Sequence, residues 1–306
     1  MTKPVKSSQF MREQRLWGWI FLAPWIIGFL VFTAIPLVAS IIFSLSEFQL
    51  NQPDQVAFVG LKNFKRLFSD PVVKTSLVVT FKFALISLPI GIILPIALAA
   101  LLNSKNLWGK PIFRTLFYMP YIVPVVSAVF IWQGMLSTET GWINRLLGLA
   151  GIAGPDWLNS VTWIYPALVI MGLWGIGNAY LITLAGMQGV PTAYYEAARV
   201  DGASGLQRFF NITVPMISPV IFYNLILSVI GLLRYFEVPF ILKNGTGYPG
   251  TSTMFYNIHF YKTTFVFFDM GYGAALAWLL FIITIILTLI LFGTSRYWVY
   301  YAGGDR

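Results

Sequence analysis

The chain has 306 residues, of which 58% are apolar and 10% charged, where a soluble globular domain carries about 25% charged residues. That balance and a mean hydropathy of +0.75 exclude an ordinary water-soluble enzyme and a disordered tail, and the lack of cysteine excludes disulfide scaffolds and thiolate metal sites. His-rich zinc sites are excluded by a single histidine, His259, and the net charge of +9 sits between long apolar runs, which points to a lipid bilayer as partner and not to nucleic acid.

Six runs contain no Asp, Glu, Lys or Arg: 16–46, 83–104, 115–138, 157–195, 209–233 and 270–295. A bilayer core of about 30 Å takes roughly 20 residues of helix, and backbone amides in hydrocarbon must be bonded within their own segment. The expected fold is therefore all-α, a polytopic membrane helix bundle forming one domain over 1–306. Its six transmembrane spans are expected at about 17–43, 77–102, 113–136, 161–187, 217–242 and 270–293.

The first run follows a basic flank (Lys3, Lys6, Arg12, Arg15), as a secretory signal does. Its apolar stretch far exceeds a signal's roughly 7–15 residues and no small-residue cleavage pattern closes it, so it reads as a retained span. Next, 61–68 places Leu61, Phe64, Leu67 and Phe68 at helical spacing, which predicts an amphipathic helix on the outer interface, with a loop against the bundle as the alternative. Lys82, at the start of the second span, is expected to snorkel. Pro36, Pro89, Pro95, Pro120, Pro124, Pro219 and Pro239 fall inside spans, where each is a bend or a hinge.

Polar side chains inside spans are costly and default to functional candidates. The fourth span offers Asn178 and Tyr180; the fifth offers Asn224, Ser228, Arg234, Tyr235 and Glu237. Arg234 and Glu237, three apart, are expected to share a helix face and pair. Trp174, Tyr180, Tyr223 and Tyr235 could stack on a polyhydroxylated ligand, although each taken singly suits helix-on-helix packing better. His259 falls in an outer connection and reads as a surface residue.

Between these two spans lies 188–215. Thr192 can cap a helix that Gly202 ends, and Ser204 with Gln207 forms a capping box for a second helix. Pro215 marks the entry to the fifth span. Ala197, Ala198 and Gly202 leave a small surface, with Glu196 as an anion at its edge. An ordinary turn between spans needs none of this. With an even number of spans both termini share a side. Placing them inside puts eleven Lys and Arg there (Lys3, Lys6, Arg12, Arg15, Lys105, Lys110, Arg114, Arg199, Arg208, Arg296, Arg306) and seven outside (Lys62, Lys65, Arg66, Lys74, Arg145, Lys243, Lys262). Both termini and 188–215 are therefore expected in the cytosol.

Glu196-Ala197-Ala198, Asp201-Gly202-Ala203 and Ile212-Thr213-Val214-Pro215 together resemble the EAA loop of ABC importer permeases, with Val214 where that family has leucine. Gly60-Leu61-Lys62-Asn63-Phe64, Tyr121-Ile122-Val123-Pro124 and Met270-Gly271-Tyr272-Gly273-Ala274-Ala275 are similar to the sugar-importing branch, the maltose and glycerol-3-phosphate type. The resemblance implies the ABC type I importer permease fold and a transport subunit of the cytoplasmic (inner) membrane, itself not an enzyme and without metal or cofactor. It implies a second permease subunit, two ATP-binding ABC subunits that hydrolyse ATP, and an extracytoplasmic sugar-binding protein as partners. Glu196, Ala197, Ala198, Asp201 and Gly202 would form the coupling helix that docks on an ATPase. The region of Asn178, Tyr180 and Ser228 would lie near the sugar path, although the family's own ligand residues are not reproduced here. The chain has no G-x-x-x-x-G-K-[ST] phosphate cradle, in keeping with a subunit that receives work through a contact. A polyol or glycerol phosphate remains an alternative solute, since Arg234 could meet a phosphate. An ion-coupled secondary transporter, the other rival, usually carries inverted repeats and buried carboxylates at mid-membrane, whereas this sequence shows no repeat and Glu237 is the only acidic residue clearly inside a span.

Overall fold

The computed structural model describes residues 7–104 and 107–301. Lys3, Lys6, Lys105 and Arg306, counted above for orientation, lie outside the described residues. By its contacts the chain divides into two compact units, Met1–Leu67 with Thr263–Trp278, and Phe68–Lys262 with Leu279–Arg306.

In the first unit, α1 (Ser7–Phe29) runs through a π turn, Leu30–Ala34, into α2 (Ile35–Ser44). A short antiparallel pair follows, β1 (Ser46–Glu47) against β2 (Ala57–Phe58), and then α3 (Lys62–Ser69). The segment 61–68 is thus helical, as its spacing predicts. Its apolar stripe is divided, however, with Leu67 buried and Phe68 91% exposed. Asn63, buried, donates from Nδ2 to the Ser44 and Ser46 carbonyls at 3.0 and 2.9 Å. It thereby satisfies acceptors that the end of α2 leaves open. The last helix, α16 (Met270–Trp298), begins in this unit. A Cβ on Gly271 would strike the Ser46 carbonyl, and one on Gly273 would strike the Thr264 hydroxyl. Arg66 meets Asp269 at 2.6 Å and lies 3.9 Å above the Tyr272 ring. Two motifs far apart in sequence, Gly60–Phe64 and Met270–Ala275, therefore form one clasp. Close packing requires Gly271 and Gly273, two backbone acceptors require Asn63, and Gly60 stands in open space at φ +59°.

The second unit is organised on α4 (Pro71–Asn103), whose 33 residues reach about 50 Å. Asp70 caps it by accepting the Val72 N–H at 2.8 Å, and Pro71 fits the first helical position, where no intrahelical N–H is needed. His259, expected at the surface, is instead buried, with Nε2 3.3 Å from Asp70. It sits on α15 (Tyr256–Tyr261), which packs against α4. A loop residue by hydropathy becomes an interior one because it folds back onto that N-terminus.

The chain continues through α5 (Lys110–Ile122), α6 (Val125–Met135), α7 (Trp142–Leu149), α8 (Ile164–Trp174) and α9 (Gly177–Gln188). After the loop come α10 (Thr192–Val200), α11 (Gly205–Arg208), α12 (Val214–Met216), α13 (Ser218–Leu233) and α14 (Glu237–Lys243). Against α4 pack α9 and α13, and two core clusters form at its two ends. One gathers Val79, Phe83, Trp132, Tyr165 and Phe255; the other gathers Ala99, Leu102, Tyr180, Leu184, Met187 and Ile217.

Among the described residues, four helices are long and apolar enough to cross a membrane: Gln14–Ser44, Pro71–Asn103, Ser218–Lys243 and Met270–Trp298. The third and fourth predicted spans are bent pairs, α5 with α6 at 104° and α8 with α9 at 54°, so the chain has up to six spans if each pair counts as one. Hydropathy reads an apolar run as a rod because it carries no angular information. The bends have local causes. Val123 precedes Pro124 and is extended (φ −68°, ψ 128°), a conformation that proline imposes on its predecessor. At the other break the helical bonds stop at Gly175–Ile176.

Candidate functional site

The 188–215 connection folds as two short helices and a tight exit. α10 starts after Pro191, so the predicted Thr192 cap is not formed. Pro191 is the cap residue, with no side-chain acceptor, and Thr192 is the first helical position. Its far end follows the prediction. Gly202 takes φ +78°, its N–H bonds the Arg199 carbonyl at 3.1 Å, and Ala203 N–H bonds the Ala198 carbonyl at 2.8 Å. These are the two bonds of a Schellman stop, which needs a left-handed residue where glycine alone is free of Cβ strain. The added Cβ itself would meet nothing in this chain, so the requirement at Gly202 is conformational. Ser204 then starts α11 with a complete capping box: its hydroxyl accepts Gln207 N–H at 3.3 Å while Gln207 Oε1 accepts Ser204 N–H at 2.7 Å.

The loop is fixed to the bundle on one side and bare on the other. Tyr195 and Thr213 share a hydroxyl hydrogen bond of 2.9 Å, which joins α10 to a π turn, Phe209–Thr213, at the loop's exit. Tyr195, Phe209 and Ile212 pack on the core of Tyr180, Met187, Val190 and Ile217. At the base, Ser218 donates to the Pro215 carbonyl at 2.6 Å and accepts Tyr300 N–H at 2.8 Å, so the end of the chain braces the start of α13. On the bare side Glu196, Ala197, Asp201 and Gly202 are exposed, and Ala198 is half-buried. Val200 is 88% and Leu206 69% exposed. Glu196 makes no ion pair among the described residues. The sequence prediction names Thr213 only as part of the Ile212–Pro215 motif and assigns no role to Tyr195 or to the apolar pair Val200 and Leu206. The last two carried a signal, since bulky apolar residues in a polar connection call for a cover.

The polar residues predicted on the fourth and fifth spans differ in exposure and in partners. Asn178, Arg234 and Glu237 are exposed, and Ser228 and Tyr235 half-buried. Tyr180 is fully buried and donates its hydroxyl to the Arg114 carbonyl at 2.8 Å. Asn224 is buried and donates to Thr183 at 3.1 Å, tying α13 to α9. Tyr235 stacks on Phe83 at 4.8 Å and meets Phe255 edge-on at 5.1 Å, with its hydroxyl buried and without a hydrogen-bond partner among the described residues. The expected Arg234–Glu237 pair is not formed. Helix α13 ends at Leu233, Phe236 breaks the backbone at φ −144°, and Glu237 opens α14, so the two charges do not share a helix face. The i, i+3 argument fails because it presumes an unbroken helix.

Residues 87–302 match the family described as the binding-protein-dependent transport system inner membrane component. The chain is 38% identical over 305 residues to the probable ABC transporter permease protein YesP of Bacillus subtilis (strain 168), covering 99% of this chain and 97% of that one. It is 31% identical to the lactose transport system permease protein LacF of Rhizobium radiobacter, covering 95% and 98%. Among solved structures, a chain of a bacterial alginate ABC transporter, crystallised with its alginate pentasaccharide-bound periplasmic protein, superposes with a TM-score of 0.80 at 24% identity. That match covers 94% of this chain and 96% of the other, and speaks to the fold.

Proposed function

The chain belongs to the family of binding-protein-dependent transport system inner membrane components, and we propose that within it the protein passes a sugar or oligosaccharide inward at the expense of ATP hydrolysed by partner subunits. One observation carries the coupling part of this reading. The loop of α10 and α11 is braced to the bundle through Tyr195–Thr213 and Ser218–Tyr300, yet presents Val200 and Leu206 bare beside Glu196. A rigid segment with an uncovered apolar face transmits force to the helices behind it when a partner seats on that face. Burial of two such side chains contributes a few kcal/mol, at about 25 cal/mol per Å².

In this reading Glu196, Ala197, Ala198, Asp201 and Gly202 face an ATP-binding subunit, and two such subunits serve a pair of permeases, this chain and a second one. The loop and both termini are cytosolic and the opposite face meets an extracytoplasmic sugar-binding protein, in the inner membrane. The sugar rests on the lactose permease among the relatives. The route past Asn178, Tyr180, Asn224, Ser228, Arg234, Tyr235 and Glu237 is a proposal of region. Tyr180 and Asn224 must move to meet a solute, because both are buried here.

The test is purification of the tagged chain from its own host under mild detergent, followed by uptake in vesicles. The expected result is co-elution of a second membrane subunit and an ATPase, with sugar uptake that survives an ionophore and stops on ATP depletion. A chain that elutes alone, or uptake that collapses with the ion gradient, overturns the reading.

A further inference from the structure

A cavity of about 330 Å³ opens beside the first third of α4. Its lining includes Lys74, Thr75, Val78, Lys82, Tyr165 and Ser252. The two lysines lie eight positions apart on one face of α4, separated by about 12 Å along its axis. Lys82 holds its ammonium 4.9 Å from the centre of the Tyr165 ring, and that ring is buried, so the cation rests against a fixed wall. Tyr165 and Ser252 line the same cavity. None of the lining residues is acidic, and neither lysine pairs with a carboxylate among the described residues.

Both lysines are exposed at the open side of the cavity, and two cations without a carboxylate partner beside hydroxyls attract an anion. The remaining groups are those that bind sugar: hydroxyls to exchange hydrogen bonds and an aromatic ring beside them. Position agrees. Lys82 and Ala99 lie 17 residues apart on α4, about 25 Å, and Ala99 belongs to the core that carries the coupling loop. The cavity is therefore at the end of the unit remote from that loop, where a solute arrives in the import reading.

We propose that this cavity recognises an acidic oligosaccharide, its carboxylate or sulfonate groups meeting Lys74 and Lys82. Two cationic positions about 12 Å apart along α4 suit a ligand with more than one acidic unit, an oligomer. The inference rests on the sugar-import reading and names its substrate class.

The experiment uses the complete transporter with its binding protein in proteoliposomes. Short oligomers of galacturonate, glucuronate and mannuronate serve as probes, beside the neutral oligomers of the parent hexoses. The expected result is ATP-dependent uptake of an acidic oligomer that falls about tenfold in the Lys74→Gln, Lys82→Gln double variant and is kept by Lys74→Arg, Lys82→Arg. Co-elution with the partner subunits establishes that each variant assembles. Uptake of neutral oligomers alone, or equal loss of neutral and acidic uptake in the Gln variant, overturns the inference and leaves the sugar-import reading standing. Activity that follows the anionic lipid content of the vesicles and ignores the charge of the solute overturns it in favour of a headgroup site. No uptake of either class overturns the sugar-import reading and this inference with it.

Discussion

The hydroxyls of Tyr195 and Thr213 lie 2.9 Å apart, and this bond closes the coupling loop between its first helix and its exit turn. Its loss frees α10 to pivot about Pro191. Tyr195→Phe or Thr213→Val removes one hydrogen bond, worth about 0.5–1.5 kcal/mol. Membrane insertion and ATPase co-elution should persist, and uptake per ATP hydrolysed should fall. Unchanged stoichiometry in both variants would show that the latch carries no force.

Gly202 and Gly205 separate two roles that one short segment could confuse. Gly202 sits at φ +78°, whereas Gly205 opens α11 with ordinary backbone, and a Cβ at either meets nothing in the chain. Gly202→Ala should strain the stop of α10 by about 1–2 kcal/mol and impair transport. Gly202→Asp adds a charge on the partner-facing side and should abolish uptake while the chain still inserts. Gly205→Ala should be tolerated. Equal uptake by all three variants would contradict the loop's role.

Asn63 distinguishes hydrogen bonding from size. It donates to two carbonyls from a buried position. Asn63→Ala should destabilise the clasp by about 1–3 kcal/mol. Asn63→Asp should cost more, because a carboxylate offers no donor and faces two carbonyl oxygens. Melting of the detergent-purified protein, followed by intrinsic fluorescence, ranks the two. Asp tolerated better than Ala would refute this account.

The connection 137–160 carries a titratable anchor. Burial alone would raise the Asp156 carboxyl, but hydrogen bonds from Thr138 and Asn159 outweigh it and hold the group below its ordinary value. A depressed carboxyl adds stability that is complete above its unfolded value of about 3.9 and disappears as pH falls through the lower folded value. Resistance of this segment to an acid-tolerant protease should therefore hold from neutral pH down past about 4, and fail only below. Asp156→Ala should be sensitive at every pH. Loss of protection already near pH 5 in the wild type would contradict the assignment.

Much of the coupling loop was legible because its signals are local. A capping box needs residues three apart, and a left-handed stop needs a glycine at one place; both formed at Ser204–Gln207 and Gly202. The Thr192 cap failed because Pro191, just before it, already occupies the cap position. The Arg234–Glu237 pair failed for a related reason: spacing defines a shared face only while the helix is intact, and it breaks between them.

By itself the sequence determined the helical class, the apolar spans and the loop between the fourth and fifth, since hydrocarbon burial and helix capping act on neighbours along the chain. Only the tertiary structure decided which polar residues share a space. Lys82 lies over Tyr165, Tyr195 meets Thr213, and Asn63 reaches Ser44 because helices distant in sequence pack side by side. The bends at Val123–Pro124 and Gly175–Ile176 were likewise out of reach, because hydropathy is blind to direction.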